Sequence, residues 1–158
     1  MADLAAHLID EVLPEVPVRQ WVCSLPWRLR YALAYDKRLC TDVLNAFVGS
    51  IRRSLRHRAK RELGLRSVEN AQFGGVTFIQ RVDSSLRLNV HFHSLVLDGV
   101  YVREKTGELR FHALPGPTPE QVAEVARWTQ ERIVRVFERH GRPLEGLDEA
   151  PDGRCQQK

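Results

Sequence analysis

The chain is poor in cysteine. Cys23, Cys40 and Cys155 are the only three, and they lie far apart. No CxxC pair occurs, which excludes a zinc ribbon and a thioredoxin-like redox motif. No secretory leader is evident, since Met1 to Pro14 carries Asp3, Asp10 and Glu11. With an odd cysteine count, this predicts a reduced, cytoplasmic protein. No apolar run approaches the roughly 18 residues of a membrane helix, so no membrane partner is expected. Internal repeats and low-complexity blocks are also missing.

What is present is ordinary in amount and uneven in placement. A length of 158 residues suits one domain with a real core, and an apolar fraction of 43% is normal for a globular protein. A net charge of +4 and a pI of 9.2 are weak evidence for a polyanionic partner. Concentration of the cations says more. Arg52, Arg53, Arg56, Arg58, Lys60 and Arg61 crowd one stretch with His57 among them. They form either a phosphate-binding surface or a solvated helix face.

Periodicity and punctuation predict the elements. A helix is expected over residues 3–13, ended by Pro14 and Pro17. Val18 to Leu25 reads as a strand closed by Pro26. Trp27 to Leu63 is helical, as one helix or as two broken near Asp36, with Gly64 as C-cap. Strands are expected over Val76–Val82, Leu86–Leu97, Val100–Glu104 and Glu108–Leu114. Asp83-Ser84-Ser85, Asp98-Gly99 and Lys105-Thr106-Gly107 are read as their turns. Four consecutive strands would then form an antiparallel meander with one face covered. Thr118, Pro119 and Gln121 carry a capping-box signature for a last helix to about Glu138, stopped by Gly141. The polar tail from Arg142 to Lys158 is expected to be disordered. The resulting class is α+β: an antiparallel sheet with helices packed on it.

Within that pattern, Leu88-Asn89-Val90-His91-Phe92-His93-Ser94-Leu95-Val96-Leu97 carries the chemistry. Alternation puts His91 and His93 on one face with Asn89, and Val90 and Phe92 on the other. Two imidazoles on a rigid central strand are half of a metal site. The bland alternative is a pair of half-exposed residues without a ligand. Gln80, near the end of the preceding strand, is the candidate third ligand or else a solvated amide. His112 is a weaker candidate and reads as a surface residue. Asp83 is better explained as a turn former. A metallo-β-lactamase pattern would continue HxHxDH, but Leu95 and Val96 follow; a cupin would need a nearby glutamate, and an amidohydrolase barrel more chain. A His-hydrophobic-His pair that survives these exclusions matches the HUH endonucleases, which cut single-stranded DNA.

Longer stretches make the match more specific. Pro17-Val18-Arg19-Gln20-Trp21-Val22, then Ser24-Leu25-Pro26 and Leu29-Arg30, resemble transposases of the IS91 type. So do Val76 to Arg81 and Leu88 to Val100. The resemblance covers about residues 1–140, taken as one partial nuclease domain, with 141–158 outside it. It implies an HUH fold with the histidines on a central strand, and a rolling-circle transposase of mobile elements. Mg²⁺ or Mn²⁺ would polarise the scissile phosphate, and a tyrosine would attack it. Transposon ends in single-stranded form would be the partner. Family members look longer at both ends, with a zinc-binding module before this segment and the nucleophilic tyrosine after it. The chain is therefore expected to be a central fragment that binds metal and DNA without complete catalysis.

Tyr31 and Tyr35, spaced i, i+4, are fallback nucleophiles against a reading of amphipathic packing; Tyr101 reads as structural. Arg81 and Arg87 join the cations of 52–61 as candidate DNA contacts, or else flank a solvated edge. Trp21 and Trp27 read as core or interface rather than stacking platforms. Two other functions stay open: a metal-dependent small-molecule enzyme, and a DNA-binding remnant without metal.

Overall fold

β-Formers between Pro17 and Pro26 give the first strand, β1 (Val18–Ser24), in the computed structural model, which describes residues 14–144. The helix expected over 3–13 and the tail from 145 onward lie outside the described residues. After Pro26 the helical pattern divides into α1 (Trp27–Tyr35) and α2 (Lys37–Glu62). Asp36 makes the break. Its backbone is extended, and its carboxylate accepts from the Leu39 N–H at 2.9 Å as the N-cap of α2. At the other end Gly64 takes φ +62°, which lets the Leu65 N–H reach the Lys60 carbonyl at 3.1 Å.

β2 (Ala71–Gln72), β3 (Gly75–Val82), β4 (Leu88–Leu97), β5 (Gly99–Arg103) and β6 (Leu109–Ala113) follow. α3 (Pro119–Arg139) comes last, with the Thr118–Gln121 capping box formed in both directions. The class is α+β, with two small antiparallel sheets and three helices.

The four-strand meander is corrected. β4 lies between β1 and β3 in one sheet, and β5 lies between β2 and β6 in the other. β4 and β5 are not neighbours but successive halves of one strand. Gly75 pairs with Val96 and Gln72 with Tyr101, so the β2–β5 register continues that of β3–β4 with two extra residues on the β4–β5 side. The two strand pairs form one antiparallel ribbon, bent where that bulge sits. β1 covers one edge of the ribbon along β4, and β6 covers the same edge farther on, along β5.

Asp98 sits at the bend and ties the two sheets. Its N–H donates to the Pro17 carbonyl at 2.7 Å, and its carbonyl accepts from Leu114 at 3.0 Å. Its carboxylate accepts from Arg19 Nε at 3.2 Å and Nη2 at 2.6 Å.

One cluster of buried side chains joins the helices to both sheets. α2 supplies Leu39, Val43, Phe47, Ile51 and Leu55 at four-residue steps. Phe47 stacks on Phe92 of β4, ring centroids 6.4 Å apart. α2 therefore covers the sheet face that carries Val90 and Phe92. α3 packs along α2 through Val125, Ile133, Val136 and Phe137. No helix among the described residues is long and apolar enough to cross a membrane.

The α1–α2 break has a pH signature. The Asp36 carboxyl is held below the ordinary 3.8, first by the hydrogen bond from Leu39, against a smaller cost of burial. A depressed folded-state pKa contributes stability above the unfolded value, and that stability is lost as pH falls through the folded one. Asn caps as well as Asp but does not titrate. Thermal midpoints measured from about pH 5 down to about pH 2 are expected to fall less steeply in Asp36→Asn than in the unmodified chain. Equal slopes would remove Asp36 from the acid transition.

Candidate metal centre and nucleic-acid interface

β4 alternates as a strand with one covered face must. Val90, Phe92, Ser94 and Val96 are buried, while Asn89, His91, His93 and Leu95 are half-buried on the opposite face. Across from His91 stand Ser24 of β1 and Gln80 of β3; across from His93 stand Val22 and Phe78. Directly paired residues share a face, so these side chains surround the imidazoles. The rings of His91 and His93 meet edge to face, centroids 4.8 Å apart.

Hydrogen bonds fix one tautomer and leave the other open. Nδ1 of His91 lies 2.6 Å from the Asn89 carbonyl oxygen. A carbonyl only accepts, so Nδ1 carries the proton and Nε2 of the neutral ring presents its lone pair. Metal-binding histidines are oriented in this way. Nδ1 of His93 lies 2.8 Å from the side-chain amide of Gln20. Its Nε2 is buried without a hydrogen-bond partner among the described residues, and so is Oδ1 of Asn89 on the same face. Burial pushes the His93 pKa below 6.5, and the neighbouring His91 adds to the effect. His93 is thus neutral over more of the pH range, the state a cation requires.

Gln80 is exposed, and its amide N–H donates to the Val82 carbonyl at 3.1 Å across a register shift. That leaves Oε1 as the atom able to take a cation. Among the described residues no three His, Cys, Asp or Glu side chains converge. The donors gathered here are neutral: two imidazole nitrogens and amide oxygens. Such a set fits a divalent ion without balancing its charge, so waters can fill the remaining positions and a phosphate oxygen would strengthen binding by supplying negative charge. Imidazole nitrogens suit Zn, Cu, Fe and Ni, whereas the amide oxygens of the set are the donors that suit Mg and Mn.

The cations divide by environment. Arg52, Lys60 and Arg61 are exposed, although Arg61 also lies 3.7 Å from Glu62. Arg53 lies over the Trp128 ring at 4.2 Å, and Arg56 donates to the Ala71 carbonyl at 2.9 Å. Arg58 is a correction to the surface reading. It is 5% exposed and donates to the Pro115 carbonyl, joining α2 to the loop before α3. Arg81 donates to the Ala34 carbonyl at 3.0 Å, and Arg87 pairs with Asp83 at 3.1 Å.

Two arginines of α3, Arg132 and Arg135, join the basic surface without any signal in the sequence, because helical periodicity singles out only the inward positions of that helix. Burial lowers the Arg132 pKa, and Arg53, Arg52 and Arg135 depress it further, so these guanidinium groups gather at the α2–α3 crossing. Because α2 covers the Phe92 face, this basic surface and the histidines lie on opposite sides of the sheet.

Tyr31 and Tyr35 are 63% and 75% exposed with rings 4.8 Å apart, so they do not pack into the core. Tyr101 packs against Phe111 in the second sheet. His112 pairs with Glu104 at 3.2 Å on that sheet, away from the pair on β4. Asp83 accepts from the backbone of Ser85 and Arg87, as a turn former does. Trp21 is core, whereas Trp27 is 74% exposed.

No protein-family model, no curated protein and no solved structure matches the chain.

Proposed function

We propose that this chain is a nuclease domain of the HUH type, similar to IS91-type transposases, which binds a divalent metal and single-stranded DNA from transposon ends. The observation that carries this reading is the buried Nε2 of His93, without a partner among the described residues, beside His91, whose tautomer presents its own Nε2. Both lie on the face of β4 opposite the Phe92 core, with β1 and β3 on either side of the strand. When bound, Mg²⁺ or Mn²⁺ would supply Lewis-acid polarisation of the scissile phosphate. His91 and His93 would hold it through Nε2, with Gln80 Oε1 as third ligand and Asn89 Oδ1 within the same face. Because the donors are neutral, a phosphate oxygen in the shell would strengthen metal binding, which couples it to DNA binding. The family's chemistry, nicking and strand transfer through a tyrosine, is assigned to no tyrosine of this chain.

The test is a calorimetric Mn²⁺ titration, with and without a DNA hairpin carrying single-stranded flanks, on the unmodified chain and on His91→Ala/His93→Ala. Heat that depends on the histidines and grows with DNA is expected. Absence of histidine-dependent heat would sink the metal site. A mobility shift with the same hairpin separates DNA handling from a small-molecule enzyme.

Electrostatics yields a second expected result. Removing one cation that touches a phosphate reduces the slope of log K against log salt by about 1. Arg52→Ala/Lys60→Ala/Arg61→Ala is expected to flatten that slope by about 2 to 3. Arg58→Met should leave the slope unchanged and lower the thermal midpoint, because its guanidinium faces Pro115 and not solvent. An Arg58→Met slope as flat as that of the triple variant would contradict this division.

A further inference from the structure

Gln20 belongs to the Arg19-Gln20-Trp21 run, and the strand assigns each member a side. Trp21 is buried in the core, and Arg19 on the same face holds Asp98. Gln20 points the other way and meets His93, 73 positions along the chain, at 2.8 Å. A glutamine amide is ambiguous by construction: NH₂ donates and Oε1 accepts, at nearly equal reach. With NH₂ toward the ring, Nδ1 of His93 must accept, and the neutral ring carries its proton on Nε2. That N–H would be buried without an acceptor among the described residues. Half a turn of the amide exchanges the two groups without moving β1. Oε1 then accepts from Nδ1–H, and Nε2 presents a lone pair matching that of His91.

We propose that Gln20 is the positioning residue of the metal centre: its amide selects the His93 tautomer, and only the orientation with Oε1 toward Nδ1 allows a cation to bind. This rests on the metal reading above and assigns it a residue on a different strand. Val22 is the residue paired directly with His93 on β1, and its aliphatic side chain offers no polar atom to the ring. Gln20 reaches the ring diagonally, from its place opposite Leu95.

Two variants and two readouts test it. Gln20→Glu offers only an acceptor to Nδ1, and Gln20→Leu offers nothing. In long-range ¹H–¹⁵N correlation spectra of the metal-free chain, Gln20→Glu is expected to hold His93 as Nδ1–H, whereas Gln20→Leu populates both tautomers. In Mn²⁺ calorimetry, Gln20→Leu is expected to weaken binding by about 10- to 100-fold, and Gln20→Glu to bind at least as tightly as the unmodified chain. Two results would overturn the assignment: an unchanged His93 tautomer across all three proteins, or unchanged Mn²⁺ affinity in both variants while His91→Ala/His93→Ala loses it. The second leaves the metal centre standing without Gln20. If the double histidine variant itself keeps the full heat, the metal centre fails, and the role of Gln20 fails with it.

Discussion

Phe92→Ala is expected to lower the unfolding free energy by about 3–5 kcal/mol, a large part of the roughly 5–15 kcal/mol of a typical domain. Phe92 is 0% exposed and stacks on Phe47, so truncation leaves a cavity where α2 meets the sheet. The residues on either side in sequence, His91 and His93, are expected to behave oppositely. They face away from that core, so alanine at either should cost under about 1 kcal/mol. Urea unfolding of the three variants checks the contrast. It matters for function, because it shows that β4 commits one side to the core and keeps the other for imidazoles. A cost at His93 comparable to that at Phe92 would make the pair a packing feature and remove the main reason to expect a ligand.

That alternation was legible in the sequence because the strand period is local. So were the Asp36 break, the Thr118–Gln121 box and the turn at Gly107, which takes φ +91° between Glu104 and Glu108. Each rests on residues a few positions apart. Long-range pairing was the part that could not be read. β2 has two residues and exists because β5 lies beside it. The contact between Gln20 and His93 depends on β1 joining β4 from far along the chain, so Gln20 stood in the Pro17–Val22 stretch without any sign that it meets His93. Arg58 looked like its cationic neighbours, and only the position of Pro115 shows that it is interior. Arg132 and Arg135 lie on α3, and their nearness to Arg52 and Arg53 depends on how α3 crosses α2. The candidate centre was thus half visible: its ligands follow from strand period, whereas what orients them follows from topology.

Gly99→Ala is the sharper test of that topology. Asp98-Gly99 has the composition of a two-residue hairpin turn, which would require positive φ at both positions. Neither has it; Gly64, Gly107 and Gly141 are the described glycines with positive φ. Gly99 is needed for room instead. A Cβ there would collide with the His112 carbonyl of β6 and stand 2.5 Å from Phe111 Cζ. Backbone oxygen cannot rotate away as a side-chain tip can, so β5 and β6 would have to separate. Overpacking of this kind costs about 1–3 kcal/mol and sometimes more, and with a backbone atom as the obstacle the upper end is expected. At a true hairpin turn, Gly→Ala would also destabilise, so stability alone does not separate the two origins; the location of the damage does. Amide exchange in Gly99→Ala is expected to accelerate across Val100–Val102 and Arg110–His112, while the β3–β4 pairs around His91 and His93 keep their protection. Loss of protection centred on the β3–β4 pairs instead would mean that Asp98 and Gly99 close a hairpin, and that the histidine strand has a different neighbour from the one described.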